Sequence, residues 1–228
     1  MTMAEAHARR AWILPAVAIA FTLLALGAAL DLLVWDRPIT EAAVNARTGW
    51  LDGLARAVSR FGSTPVVLTV AALAAAAAWP RCRRLSLAIA VVALARPLVE
   101  FGFKELIDRP RPAGDQLVRG RGPSFPSGHP FATAASWGLV PLVVALYTQR
   151  RTVWWTVAAA VWALAVAVAA SRVWLGVHWT SDVIAGLLLA VLGVAASERF
   201  INFVHRGQCS GRAVSLPEPA AVAEGAVS

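Results

Sequence analysis

Residues 171–182 read SRVWLGVHWTSD, set between an apolar stretch ending AVAVAA (165–170) and another beginning VIAGLLLAVLG (183–193). Arg172, His178 and Asp182 thus stand where two hydrophobic runs meet, and the fold follows from asking which solvent tolerates such flanks. A chain of 228 residues with 58% hydrophobic content and 15% charge is too apolar for an ordinary soluble domain. Working outward from 171–182, six apolar runs cover Ala11–Trp35, Phe61–Trp79, Leu85–Phe103, Phe131–Tyr147, Val153–Ala170 and Val183–Phe203. Each approaches the ~20 residues that carry a helix across a bilayer. A soluble bundle built from them would lack the polar surface to stay dissolved. The expected fold class is all-α: a polytopic membrane protein with six transmembrane helices in a bundle and its polar site at one membrane face. The second and fourth runs are the shortest, and Pro65 and Pro141 are placed to bend or end them.

The formal charge is +8, and every basic residue except Lys104 is arginine. These arginines lie between the apolar runs instead of forming a basic domain, which argues against a nucleic-acid partner. Arg9 and Arg10, the turn Arg81–Arg84, the pair Arg150 and Arg151, and Arg199, Arg206 and Arg212 all fall on one face. The opposite face would carry as many cations, so the totals decide nothing, and it is the short arginine turns that make the first face cytoplasmic by the positive-inside rule. Both termini are then expected in the cytoplasm of a bacterial-type cell membrane. The first run exceeds the apolar core of a signal peptide and is read as a retained span. Cys82 and Cys209 would share the reducing side, so no disulfide is expected. Residues 1–205 read as a single membrane domain. Residues 206–228, with SLPEPAAVAEGAVS, lack a large apolar face and are expected to be disordered.

Polar residues able to do chemistry fall in three clusters: KELIDRPRP (104–112), PSFPSGHP (123–130) and the segment 171–182. Two crossings separate the loop holding the first two from the loop holding the third, so all three face one compartment in either orientation. PSGH immediately precedes the fourth run, where a helix amino terminus offers free NH groups and a positive dipole end to an anion. There Ser127 supplies a hydroxyl, Gly128 lets the backbone approach a ligand, and His129 stands beside it to give or take a proton. The same letters also suit a plain helix start with a serine cap. Lys104 and Arg111 are seven residues apart and would point to one side if the third helix runs past the interface. Arginine suits bidentate contact with phosphate and lysine supplies a compact charge, whereas Arg109, Arg119 and Arg121 are equally well read as a cationic belt for lipid headgroups.

His178 and Asp182 are four residues apart, and a carboxylate there fixes the imidazole tautomer and leaves the second nitrogen as a nucleophile or base. As an isolated pattern this spacing is weak. Joined to Arg172, Lys104, Arg111 and His129, it suits a ligand with about two negative charges, such as a phosphate monoester or the end of a diphosphate. One histidine would attack phosphorus while the other protonates the leaving oxygen and later activates water. No acidic metal cluster is apparent in the sequence, so no metal or other cofactor is expected, and the cations would stabilise the transferring phosphoryl group.

These segments resemble the type-2 phosphatidic acid phosphatase superfamily, whose pattern is Lys-x6-Arg-Pro, then Pro-Ser-Gly-His, then Ser-Arg-x5-His-x3-Asp. They match it in residue type and spacing across 104–182. The resemblance implies His178 as nucleophile, Asp182 as its partner and His129 as the acid for the leaving group. It implies Lys104, Arg111, Ser127, Gly128 and Arg172 as phosphate-holding residues, with a site facing outward. Its membrane branch acts on lipid phosphates and diphosphates, among them undecaprenyl diphosphate, phosphatidate and phosphatidylglycerol phosphate, and a polyprenyl diphosphate is slightly favoured here. The same superfamily contains vanadate-dependent haloperoxidases, an alternative that six spans oppose; a non-catalytic membrane protein is the other. The expected partners are a lipid phosphate substrate and membrane lipids, and the oligomeric state is left open.

Two features lie outside the pattern. Arg96 and Glu100, four apart in the third run, are expected to pair, because an isolated charge there costs ~3 kcal/mol; the alternative is that Glu100 touches Lys104 one turn later, and either contact suits a structural role. Leu51, Leu54, Val58 and Phe61 recur at helical spacing and suggest a helix in the outer interface, within the connecting segment 39–61, that shapes lipid entry; a plain connector is the equal alternative.

Overall fold

The computed structural model describes residues 3–204, and those residues are helical with no strand. The helices are α1 (Met3–Ala29), α2 (Asp36–Asn45), α3 (Gly49–Ser59), α4 (Thr64–Ala78), α5 (Arg83–Ile107), α6 (Gly128–Trp137), α7 (Val140–Ala145), α8 (Arg151–Trp174) and α9 (Thr180–Val204). A 3-10 turn, Arg60–Gly62, joins α3 to α4. The expected tail, 206–228, lies outside the described residues.

Among the described residues, four stretches are long and apolar enough to cross a membrane: Trp12–Ala29, Arg83–Ile107, Arg151–Trp174 and Thr180–Ser197, with mean hydropathy between 1.8 and 2.1. The expected count of six is not reproduced, because the two shortest runs fold differently. The second run yields α4, 15 residues long, which continues α3 and the 3-10 turn across a 46° bend; counted together they give a fifth candidate. The fourth run breaks into α6 and α7 around Gly138 and Leu139. Pro141 has no NH to donate to the Trp137 carbonyl and falls in the first turn of α7, where that donor is not needed, whereas α1 and α5 run on through Pro15 and Pro97. The segment 49–59, expected to be helical from its spacing, is helical.

Small residues recur in the interior, among them Ala71, Ala74, Ala134, Ala135, Ala165, Ala185 and Ala190, beside larger ones such as Leu85, Ile89, Phe125, Leu139 and Leu142. Large apolar ones face outward: Leu94, Leu98, Phe101 and Leu106 along α5 are each more than 60% exposed. Small residues let backbones approach, and large ones facing out are stable only in an apolar solvent. The short α6 lies at the centre, buried along nearly its whole length and packed by α4, α5, α8 and α9.

The two ends of this bundle differ. At one, Tyr147 Oη donates to the Ala77 carbonyl (2.6 Å) and the Arg81 guanidinium lies 3.7 Å above the Tyr147 ring, which brings the α4–α5 and α7–α8 turns together. From there α5 rises ~37 Å to the other end, where the loop 108–127 and the α8–α9 connection meet. Cys82, expected as a reduced thiol, is disulfide-bonded. The compartment argument concerned redox poise and did not constrain which sulfurs meet. Cys209 lies outside the described residues.

Candidate active site

Helix α9 begins at Thr180, so His178 sits on the turn before it and Asp182 in its first turn. The Asp182 carboxylate is buried and fully engaged. Oδ1 accepts from Arg109 Nη1 (2.8 Å), while Oδ2 accepts from the Trp179 NH (2.9 Å) and faces His178 Nδ1 at 3.3 Å. A carboxylate can only accept here, so Nδ1 carries the proton and Nε2 keeps its lone pair. Burial pushes the His178 pKa down to about 4, reinforced by Arg111 and Arg172 and opposed by the bond to Asp182. The imidazole is therefore neutral at physiological pH, as a nitrogen nucleophile requires.

The PSGH segment arrives from the opposite side. Ser127 caps α6, and its NH donates to the Asp182 carbonyl (3.0 Å), tying the second cluster to the third through the backbone. Its Oγ is buried and has no protein partner. The chain thus places an unused hydroxyl beside the free NH groups of a helix amino terminus, as an anion site needs.

Lys104 and Arg111 reach the site by different routes, contrary to the expectation of one extended helix. Helix α5 stops at Ile107, where Asp108 adopts a left-handed conformation (φ 43°), and Arg111 returns on the following loop. The Arg111 guanidinium is held by backbone carbonyls. Nε donates to Gly122 (2.9 Å), Nη1 to Val177 (2.6 Å) and Nη2 to Arg121 (2.8 Å) and Pro123 (3.3 Å). Nη1 also lies 3.1 Å from His178 Nε2. Partial burial lowers the Arg111 pKa, against the attraction of Asp182 and Glu100. Arg172, near the end of α8, donates through Nη1 to Ser59 Oγ (2.7 Å), while its buried Nε has no partner.

Lys104, Arg111, Gly128, His129, Arg172 and His178 line one cavity of about 240 Å³. Ser127 and Asp182 are buried alongside it. All eight residues singled out from the sequence are therefore brought together. Arg96 and Glu100 of α5 also line the cavity, as do Arg119 and Arg121 of the loop, so these two loop arginines are more than a headgroup belt. Six cations face one carboxylate across this space, which favours a multiply charged anion.

One arrangement escaped the sequence altogether. Arg109, read there as a headgroup cation, is 5% exposed, and it bridges Asp182, Ser181 Oγ (2.7 Å) and Asp36 Oδ2 (2.9 Å). Asp36, at the start of α2, also accepts from the Ser181 NH (2.8 Å) and the Ser181 hydroxyl. Asp36 lies 145 residues from Ser181, beyond any spacing rule; the repeated Arg-Pro of DRPRP was the only local hint.

A family model described as the PAP2 superfamily matches residues 84–206, more than half of the 228-residue chain. The chain is 28% identical over 162 residues to phosphatidylglycerophosphatase B of Bacillus subtilis (strain 168), covering 69% of itself and 78% of that protein. Its structure resembles the crystal structure of the first transmembrane PAP2 type phosphatidylglycerolphosphate phosphatase from Bacillus subtilis, with a TM-score of 0.76 and 25% identity. That alignment covers 86% of this chain and 98% of that one. The fold is also similar to that of Aquifex aeolicus LpxE, with a TM-score of 0.58 at 20% identity over 73% of this chain and 96% of that one. With its three polar clusters folded into one cavity and a family model matching the whole segment that carries them, the chain belongs to the PAP2 superfamily.

Proposed function

We propose that this membrane protein is a lipid phosphate phosphatase working through a phosphohistidine at His178. One observation carries the reading: His178, oriented by Asp182 through Nδ1, presents Nε2 to the cavity lined by Lys104, Arg111, Arg172 and His129. Nε2 attacks phosphorus, the P–N bond forms, and the bond from phosphorus to the lipid oxygen breaks as His129 gives that oxygen a proton. Burial and the neighbouring Arg172, His178, Lys104 and Arg96 push the His129 pKa down to about 3 in the empty site, so the negative charge of the bound phosphate must raise it for His129 to carry that proton. Water then attacks the phosphohistidine while His129 takes its proton, and inorganic phosphate leaves. Lys104, Arg111, Arg172, the Ser127 hydroxyl and the amides at the start of α6 stabilise the phosphoryl oxygens. No step calls on a metal.

The two Bacillus relatives favour phosphatidylglycerol phosphate as substrate. A polyprenyl diphosphate is the second reading, supported by the two further arginines, Arg119 and Arg121, among the residues that line the cavity. The arginine turns at the α4–α5 and α7–α8 end support cytoplasmic termini and an outward-facing site.

Phosphate release by the detergent-purified protein, in EDTA, from phosphatidylglycerol phosphate, phosphatidate and undecaprenyl diphosphate tests the reading and ranks the substrates. Release from none of them would sink it, and release abolished by EDTA would remove its metal-free form. His178→Ala is expected to abolish turnover and trapping of labelled phosphate on the protein.

A further inference from the structure

Glu100 is an acid in a site that must hold an anion. Its Oε1 pairs with Lys104 Nζ at 3.0 Å and its Oε2 with Arg96 Nη1 at 2.6 Å, so the carboxylate is drawn between two cations that line the cavity. It also lies directly over Gly128. A Cβ built there would collide with the Glu100 carboxyl carbon and both its oxygens. Gly128 opens α6, where the free NH groups and dipole make the natural seat for a phosphate oxygen. A simple structural ion pair explains Arg96 with Glu100, but it does not explain why the carboxylate bridges onward to Lys104 and rests on the phosphate seat. Arg96 keeps a buried Nε without a partner, and so does Arg172, so donors remain for a larger anion than a carboxylate.

We infer that Glu100 is the resting occupant of the phosphate seat, an internal anion that the substrate phosphoryl group displaces from Lys104 and Gly128. The inference rests on the phosphatase reading and adds a positioning residue outside the sequence pattern. In the empty site Glu100 holds Lys104 and Arg96 in place against the repulsion of Arg111 and Arg172. On substrate entry the carboxylate swings toward Arg96 and leaves Lys104 to the phosphate. After hydrolysis it competes with inorganic phosphate for the same donors, and so speeds product release.

The test is inhibition by inorganic phosphate of lipid phosphate turnover, alongside direct binding of inorganic phosphate followed by tryptophan fluorescence. Removing a like charge from the seat by Glu100→Gln is expected to tighten phosphate, lowering its inhibition constant and its Kd about tenfold, and to lower KM in the same sense. A merely structural Glu100 predicts the opposite, weaker phosphate binding from a disordered site. An unchanged or weakened phosphate constant in Glu100→Gln would overturn the inference. If that variant fails to fold, Glu100→Asp decides: one methylene shorter, it keeps the charge beside Arg96 but withdraws from Gly128, so phosphate should tighten about threefold, and unchanged or weaker binding overturns the inference there too. Failure of the phosphatase reading is distinguishable, since the unsubstituted protein would then release phosphate from no lipid at all.

Discussion

Asp36 shows how much of this site hangs on residues that touch no substrate. It neutralises Arg109 and receives both the NH and the hydroxyl of Ser181, while Arg109 in turn grips the carboxylate that aims His178. Asp36→Asn is expected to destabilise the fold by about 2 kcal/mol, less than a wholly stranded buried charge costs because Asp182 still faces Arg109. Thermal unfolding in detergent reads that loss, and kcat should fall with it as Asp182 loosens. His178 gives the pH prediction. Burial holds its folded pKa near 4, below the ordinary value of 6.5, so the neutral nucleophile persists as pH falls through the range where a free histidine would protonate. The acid limb of single-turnover phosphohistidine formation should therefore lie below pH 6.5; a limb at or above that value would show that the nucleophile is not held neutral by burial. The eight residues of the three clusters were legible chiefly through their match to a known pattern, with His178 and Asp182 at helical spacing and PSGH before a helix also readable locally. Asp36 and Arg109 were not, because a contact spanning 73 residues leaves no periodic trace and a buried arginine reads like a surface one.

The central helix α6 is the element on which sequence reading was least sure. Its composition announced an apolar run, but a run of 17 residues containing Gly138 and Pro141 does not say whether it bends or breaks. By contrast α3 was legible from its spacing, and the structure gives it contacts a plain connector lacks: Ser59 holds Arg172, and Asp52 accepts from Trp174 Nε1 at 2.9 Å. The α3–α4 junction also presses on α6. A Cβ at Gly62 would lie 2.9 Å from both the Cβ and the carbonyl oxygen of His129 and 3.0 Å from Thr133 Oγ1. Gly62→Ala is expected to shift His129 and lower kcat about tenfold or more, whereas Gly102→Ala, which meets nothing within 4 Å, serves as the helix-glycine control. Equal kcat in the two variants would mean that the junction does not position His129. Lys104 and Arg111 teach a related lesson. Their meeting was expected along one helix, but it comes from a helix that stops and a loop that returns.

At the scale of the molecule, the many large apolar side chains that face outward mark the solvent as lipid more firmly than any run length does. The number of crossings was the global property least accessible to the sequence, since helix breaks depend on how neighbours satisfy the freed backbone. Orientation is open to a direct measurement: a cysteine placed between Gln116 and Gly122 should react with an impermeant reagent in intact cells, and labelling only after lysis would reverse the assignment. The guanidinium of Arg111 has a consequence of its own. Its donors are shared among Gly122, Arg121, Pro123 and Val177, so the loop before α6 and the turn before α9 close around a single side chain. Neither half can settle without the other. Turnover therefore doubles as a report of assembly: a molecule that releases phosphate is one whose distant segments have found each other in the bilayer, and specific activity can serve as a quality score for membrane insertion.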